Sequence, residues 1–188
     1  LPERTSYKGD ELKPLDLSEL PAILEDFKAD GVAAVAISFL HSYADLTHEE
    51  RTMAEVQKLW PEVSVVSSHQ ITREWREYGR TNPAVLSAYV QPIAERYLSR
   101  LANGLKEKGL KGSPYIMQSN CGVDSLESVS KIPITMVESG PASGFWGAAE
   151  LGKLIGEPNV LALDIGGTTA KCSLIEDGEV KIKTDYWI

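Results

Sequence analysis

The 188-residue sequence is poor in cysteine, in positive charge and in long apolar runs. Its two cysteines, Cys121 and Cys172, form no CxxC pair and have no histidine at zinc-finger spacing, which argues against a disulfide framework and a structural zinc site. No apolar run approaches the ~18 residues that a membrane-spanning helix needs. The 19 Lys and Arg against 27 Asp and Glu give a net charge of -8, which disfavours nucleic acid as a partner.

What is present is the composition of a globular protein, with 43% apolar and 24% charged residues and enough length to bury a sizeable core. The sequence opens at Leu1 without a charged-then-apolar leader, which indicates the cytoplasm. It stops in an extended apolar pattern over 181–188 that has no terminator. We therefore expect an internal fragment of a longer cytoplasmic protein.

Short apolar runs alternate with helical periodicity along the chain. Helices are predicted over 17–29, from 47 to a stop at Pro61, from about 81 to an end at Gly109, and over 125–130. Strands are predicted over 32–40, 63–66, 115–118 and 134–137. Thr47 with Glu50 forms a capping-box pattern, and Thr81 precedes Pro83 as a candidate N-cap. The alternation favours an α/β fold with a mostly parallel sheet and flanking helices.

A helix rich in small residues is predicted over 141–155, directly after Glu138-Ser139-Gly140. Gly144 and Ala148 lie four residues apart and therefore share one helix face. Glycine inside a helix costs stability, so this face indicates close packing against a helix or a ligand. Ordinary core packing with incidental small residues is the alternative.

The most informative segment is a strand over 160–165 that ends in Asp164-Ile165, followed by Gly166-Gly167-Thr168-Thr169 and a second strand. Asp177-Gly178 then predicts a tight hairpin to a third strand, which makes a C-terminal β-hairpin. The two glycines offer backbone N–H groups without a Cβ that would keep a phosphate away. Thr168 and Thr169 add hydroxyl groups beside them.

Asp164 is the candidate ligand for a hydrated magnesium ion, or a group that orients water, next to bound phosphates. Lys171 supplies a positive charge, although strand alternation can direct it elsewhere. The pattern differs from the Walker loop, because a strand rather than a helix follows it. The alternative is a plain β-hairpin in which the aspartate caps its own turn.

These motifs resemble the hydantoinase A and 5-oxoprolinase family, within the superfamily of actin, sugar kinases and heat-shock chaperone ATPases. The similarity rests on the strings 164–169 and 138–142, which look like the second phosphate motif and the preceding crossover helix. Further matching strings lie at 40–43, 77–81, 88–92 and 116–120. One departure is Cys121, since family members usually have glycine there after Met-Gln-Ser-Asn.

The resemblance implies a partial ribonuclease-H-like, actin-like ATPase fold. Residues 1–158, including the crossover helix 141–155, would be the later part of a first lobe, and 159–188 the opening strands of a second lobe. It further implies ATP and magnesium as cofactors, with Asp164 on the metal and Gly166, Gly167, Thr168, Thr169 and Lys171 on the phosphates. Glu138 and Ser139 would form a hinge beside the cleft.

The implied activity is ATP-dependent opening of a cyclic amide or imide, of hydantoin or 5-oxoproline type, through phosphorylation of its carbonyl oxygen. The implied partners are the small substrate and a hydantoinase B-like subunit or domain, in an oligomer without nucleic acid or membrane. The isolated fragment is expected to be inactive. Two alternatives stay open: an ATP-using subunit of an acetone or acetophenone carboxylase, and a non-catalytic nucleotide-responsive module.

Overall fold

A computed structural model describes residues 1–181, which divide into two units along the chain. The first unit consists of Leu1–Ser113 and Leu126–Ile134, and the second of Pro114–Ser125 and the described chain from Thr135 onward. Both units contain helices and strands, so the α/β class is confirmed. The extended pattern predicted over 181–188 lies, from residue 182 on, outside the described residues.

The first unit holds nine regular elements among its described residues. They are β1 (Arg4–Thr5), β2 (Glu11–Lys13), α1 (Leu20–Ala29), β3 (Ala34–Ile37), α2 (Thr47–Leu59), β4 (Ser64–Ser67), α3 (Ser68–Ile71), α4 (Glu77–Glu107) and α5 (Leu126–Lys131). The predicted helices and strands of this region are present, with ends shifted by a few residues. The short β1, β2 and α3 were not predicted, since they are too short or too polar to show a period.

The core of the first unit forms around a parallel pair of strands. β3 and β4 pair along their whole length, and α2 makes the crossover between them. Successive side chains of a strand point to opposite faces, so Val65 packs in the cluster with α1 and α2, whereas Val66 packs with α4. Helices thus cover both faces, which explains why these strands read as continuous apolar runs.

Two oppositely charged side chains are completely buried beside this sheet. Glu49 and Arg80 are both 0% exposed. Glu49 accepts hydrogen bonds from the backbone N–H of Phe39 at 2.8 Å and from Ser68 Oγ at 2.6 Å. Arg80 donates to Ser68 Oγ at 3.1 Å and to the carbonyls of Phe39 and Glu74 at 2.5 and 2.9 Å. These hydrogen bonds compensate two buried charges that would otherwise destabilise the core.

Both predicted N-caps of this unit are wrong. α2 does begin at Thr47, but the backbone N–H and hydroxyl of Thr47 both donate to Asp45 Oδ1, at 2.9 and 2.6 Å. α4 begins at Glu77, one turn before Thr81, whose hydroxyl instead shares a hydrogen bond of 2.7 Å with Ser38 Oγ. In both cases the threonine hydroxyl bonds another side chain, Asp45 or Ser38, and not the backbone N–H groups of the helix that it was predicted to cap.

The second unit contains β5 (Tyr115–Met117), β6 (Val123–Ser125), α6 (Ser139–Ile155), β7 (Val160–Ile165), β8 (Ala170–Glu176) and β9 (Glu179–Val180). The predicted C-terminal hairpin is confirmed, with Asp177 and Gly178 both at positive φ between β8 and β9. The strand predicted over 134–137 is wrong, because a 3₁₀ helix occupies Pro133–Met136. A short apolar run does not distinguish these two outcomes by itself.

The predicted mostly parallel sheet is also wrong for the described residues. Only β3 and β4 pair in parallel, whereas β1–β2, β5–β6 and β7–β8–β9 are antiparallel. The antiparallel strands follow one another through short turns, which cannot make the crossover that parallel pairing needs. The alternation of helices and strands predicted a mostly parallel sheet, but the described chain contains one parallel pair, β3–β4.

α6 packs closely on one face of the β7–β8–β9 sheet. Ala149 and Ile175 are 1% and 0% exposed in the cluster between them. A Cβ added at Gly152 would lie 2.6 Å from the carbonyl oxygen of Glu157 and 2.9 Å from Val160 Cγ2, so this contact requires glycine. The tight packing predicted at Gly144 is not found in the described chain, since an added Cβ there would meet no atom within 4 Å.

α4, at 31 residues, is long enough to reach across a bilayer. It carries charged residues along its length, among them Glu95, Arg96 and Arg100. No helix of the described chain is both long and apolar enough to cross a membrane.

His48 connects α2 to the β1–β2 hairpin. Its Nδ1 is 2.8 Å from Glu3 Oε2 and its Nε2 is 2.8 Å from Glu11 Oε1, and the residue is 3% exposed. Burial alone lowers the pKa of His48, but the hydrogen bonds to Glu3 and Glu11 outweigh it and hold the pKa above its ordinary value of 6.5. The folded hairpin therefore favours the imidazolium form.

We expect this contact to weaken as the pH rises. A histidine whose pKa is raised by folding stabilises the folded state fully below its unfolded pKa, and this contribution disappears as the pH rises through the folded value. Urea unfolding of the chain and of His48→Gln, from about pH 5.5 to about pH 8.5, checks this expectation. The difference in unfolding free energy should shrink with rising pH, and a constant or growing difference contradicts it.

We expect Gly152→Ala to destabilise the second unit by about 2 kcal/mol, because the added methyl overlaps the backbone at Glu157. Gly144→Ala is the matched control in the same helix, and it should be neutral or stabilising by up to about 1 kcal/mol. Urea denaturation of both variants measures the difference. Equal effects of the two substitutions would refute the close contact.

Candidate functional site

The candidate site lies at the turn between β7 and β8. Asp164 of β7 and Lys171 of β8 are directly opposite each other in the antiparallel register. The residues between them form the turn Gly166–Thr169, closed by a hydrogen bond of 2.9 Å from the N–H of Gly166 to the carbonyl of Thr169. The structure thus brings the predicted carboxylate, glycines, hydroxyls and lysine together at one end of the hairpin.

The two glycines of this turn are not required by the described structure. Neither Gly166 nor Gly167 has a positive φ. A Cβ added at Gly167 would meet no atom within 4 Å, and one at Gly166 would meet only the carbonyl oxygen of Thr169, at 3.7 Å. Within residues 1–181, backbone strain and packing therefore do not require glycine here, and the open turn is compatible with close approach by a ligand.

Hydrogen-bond donors are available at the same turn. The N–H groups of Gly167 and Thr168 have no hydrogen-bond partner among residues 1–181. The side chains of Thr168 and Thr169 are exposed. Unpartnered N–H groups that lie next to each other in a turn can bind an anion, and phosphate is the typical one.

Lys171 is paired with the residue that precedes α6. Side chains alternate along β8, and Lys171 lies on the same face as Ile175, which packs against α6. Its Nζ forms an ion pair with Glu138, whose backbone has φ of 63° at the N-cap of α6. Ser139 is the first residue of α6, and its carbonyl accepts a hydrogen bond from Ser143 Oγ at 2.8 Å. All eight predicted site residues therefore belong to the second unit.

The charges of Asp164, Glu138 and Lys171 determine which anions can bind at this turn. Asp164 and Glu138 are negative and only Lys171 is positive, so a bare phosphate would be repelled. Magnesium is typically held by one or two carboxylates together with water and phosphate oxygens, and Asp164 fits that donor set. The described residues contain no group of three His, Cys, Asp or Glu side chains arranged for a metal. A magnesium ion here would depend on water and phosphate for its other ligands.

The loop 118–122 and the residues after it position Glu138, and no sequence pattern predicted this role. The N–H and Oγ of Ser119 donate to the carbonyl of Thr135, at 2.7 and 2.8 Å, and Oγ also bonds the carbonyl of Val137. Cys121 has φ of 67°, in the left-handed region that favours glycine, the residue expected there from the resemblance. The string 116–120 was a signal for this loop, although its contacts could not be read from the sequence.

Comparison with known proteins gives a family for the chain. The family model described as hydantoinase/oxoprolinase matches residues 80–188, and the model of the hydantoinase/oxoprolinase N-terminal region matches residues 1–60. The first match alone covers more than half of the chain.

Three relatives show the extent of the similarity. Caprolactamase subunit alpha of Pseudomonas jessenii is 34% identical over 181 residues, covering 94% of this chain and 25% of that protein. The 5-oxoprolinase of Saccharomyces cerevisiae is 27% identical over 172 residues, covering 90% of this chain and 13% of that protein. The nucleotide-free structure of acetone carboxylase superposes with a TM-score of 0.85 at 32% identity, covering 99% of this chain and 26% of that one. The chain thus spans about a quarter or less of these relatives.

We expect the Glu138–Lys171 pair to be weak and sensitive to salt. The two side chains are 39% and 31% exposed, so water screens their attraction. A double-mutant cycle with Glu138→Gln and Lys171→Met should give a coupling of about 0.5 kcal/mol that falls as salt is added. A coupling of zero at low ionic strength would contradict the pairing.

Proposed function

Because the chain belongs to the hydantoinase/oxoprolinase family, we propose that it is part of an enzyme that uses ATP to open a cyclic amide. The observation that carries this proposal is the open Gly166–Thr169 turn beside Asp164, where neither φ nor packing against residues 1–181 requires glycine. Two relatives, a caprolactamase subunit and a 5-oxoprolinase, are named for cyclic amides. Hydantoin-type and 5-oxoproline-type rings are therefore the substrates we favour.

An amide resists attack by water because resonance makes its carbonyl carbon a poor electrophile. ATP supplies the γ-phosphoryl group that activates the carbonyl oxygen, so that water can add at carbon and the ring C–N bond can break, with ADP and phosphate as products. The chain's contribution is to hold and neutralise the transferred group.

Each residue of the turn has a role in this proposal. The N–H groups of Gly167 and Thr168 donate to phosphate oxygens, Gly166 leaves room for them, and the hydroxyls of Thr168 and Thr169 assist. Asp164 holds magnesium or orients water. Lys171 keeps Glu138 neutralised and is released to the phosphates only when that ion pair opens. Glu138 and Ser139 form the hinge at the start of α6.

We place the chain within two lobes of a ribonuclease-H-like, actin-like ATPase fold, with residues 1–158 in the first lobe and 159–188 opening the second. The caprolactamase relative is a named subunit, which supports a partner subunit for this protein as well. The two free thiols, Cys121 and Cys172, suit a reducing cytoplasm.

An ATP-using carboxylase subunit is the second candidate function. It is favoured by the TM-score of 0.85 with acetone carboxylase, whose structure is described in the context of ATP-dependent acetone carboxylation. Both functions need the same phosphate-binding turn, so they differ in substrate and not in the role of Asp164. Measuring ATP-dependent turnover with 5-oxoproline and, separately, with acetone and bicarbonate distinguishes the two functions.

We expect Asp164→Asn and Gly167→Ala to weaken ATP binding by about tenfold or more in the complete enzyme with magnesium, because one removes the metal's carboxylate and the other fills the phosphate space. Gly104→Ala on α4 is the matched control, since its added Cβ also meets no atom within 4 Å. Calorimetric titration with a non-hydrolysable ATP analogue measures the affinities. Equal affinity in all three variants would end this assignment.

A further inference from the structure

The first unit contains a cavity of about 430 Å³ that is lined by residues of α2, β4 and α4 and by the segment before β4. Its apolar lining consists of Met53, Pro61, Val63 and Val65. Its polar lining consists mainly of amides and charged side chains, namely Gln57, Gln70, Gln91, Glu62, Glu95 and Lys131. A cavity of this size suits a small organic molecule, and the proposed ATP chemistry does not use it.

Glu95 supplies acceptor oxygens at this cavity. Its Oε1 accepts a hydrogen bond of 2.8 Å from Gln91 Nε2, one turn earlier on α4, and its Oε2 accepts one of 3.1 Å from Ser64 Oγ. Both oxygens therefore act as acceptors, as in the ionised carboxylate that glutamate ordinarily carries at neutral pH. Each carboxylate oxygen has a second lone pair, so Glu95 is able to accept further hydrogen bonds from a ligand.

The amide of Gln91 contains a buried acceptor without a donor. A carboxylate oxygen only accepts, so the NH₂ group of Gln91, and not its oxygen, must face Glu95. Gln91 is 5% exposed, and its Oε1 is buried with no hydrogen-bond partner among residues 1–181. Because buried amide oxygens are nearly always hydrogen-bonded, this one indicates a ligand that donates.

One donor group can reach both acceptors. The oxygen and nitrogen of an amide lie about 2.3 Å apart, so Gln91 Oε1 is at most about 5 Å from the Glu95 oxygen that Nε2 bonds. A group with several N–H donors, each forming a hydrogen bond of about 2.8 Å, spans this separation. A primary ammonium has three such donors and no acceptor.

The charges around the cavity favour a cation. Glu62 and Glu95 form no ion pair with a residue of the described chain. Lys131, the one basic side chain that lines the cavity within residues 1–181, is paired with Glu127 at 2.9 Å. Two carboxylates without a cationic partner attract a positive ligand and repel one that carries a carboxylate of its own.

We propose that this cavity binds a small organic amine, as a primary ammonium ion on a short apolar chain. The ammonium donates to Glu95 and to Gln91 Oε1, and the apolar chain packs against Met53 and Val63. The inference requires neither ATP nor the turn at Gly167, so it stands or fails separately from the proposed function.

Calorimetric titration of the complete protein at neutral pH, without nucleotide, tests this site with n-butylammonium as the probe. Three analogues each change one feature. 1-Butanol has no charge, butyltrimethylammonium has no N–H donor, and 4-aminobutyrate has a carboxylate in place of the terminal methyl. We expect each analogue to bind about tenfold more weakly than n-butylammonium.

Two variants connect the probe to the cavity. Glu95→Gln removes the charge and should abolish the preference for n-butylammonium over 1-butanol. Gln91→Met keeps the length of the side chain but removes Oε1, so it should reduce the preference over butyltrimethylammonium. Glu107→Gln, an exposed glutamate of α4 outside the cavity, is the matched control and should change neither preference.

Undetectable binding of n-butylammonium to the unmodified protein would overturn the proposal. So would equal binding of the four probes, or preferences that stay the same in Glu95→Gln and Gln91→Met. If either variant does not fold, Glu62→Gln takes its place, because Glu62 is exposed and lines the same cavity. It should weaken n-butylammonium binding several-fold, and an unchanged affinity would count against the site.

Discussion

The candidate site depends on the close approach of α6 to the β7–β8–β9 sheet. Gly152 allows backbone atoms of the following turn to lie where a side chain would otherwise be, and Ala149 and Ile175 complete a buried contact around it. This packing holds the start of α6 beside the strand that carries Lys171, so that Glu138 meets the lysine. The register of β7 and β8 then places Asp164 opposite Lys171, at the end of the hairpin that carries the open turn.

Buried charges in the first unit and backbone donors at the candidate site differ in how they are hydrogen-bonded. In the first unit, Glu49 and Arg80 are fully buried and are surrounded by donors and acceptors, which stabilises a defined core. In the second unit, the N–H groups at Gly167 and Thr168 lie on an exposed turn without a partner in the described chain. Buried polar groups that are hydrogen-bonded within the protein stabilise the fold, whereas exposed N–H groups without a partner are available to bind a ligand.

Local features of the fold could be predicted because their causes are local. The turn between β7 and β8, the Asp177-Gly178 hairpin and the helix after Glu138 follow from neighbouring residues and turn chemistry. The Glu138–Lys171 pair joins residues 33 apart, and the Glu49–His69 pair joins residues 20 apart. Hydrophobic periodicity describes single helices and strands, so it does not predict such contacts. β3, α2 and β4 must fold together before Glu49 lies beside His69. The prediction of a mostly parallel sheet was wrong for a related reason, because the alternation of helices and strands does not specify which strands pair.

The most direct test of the central claim is a crystal structure of the complete enzyme with magnesium and a non-hydrolysable ATP analogue. We expect phosphate oxygens at about 3 Å from the backbone nitrogens of Gly167 and Thr168, with the metal beside Asp164. A structure in which the analogue is bound with its phosphates away from this turn would contradict it.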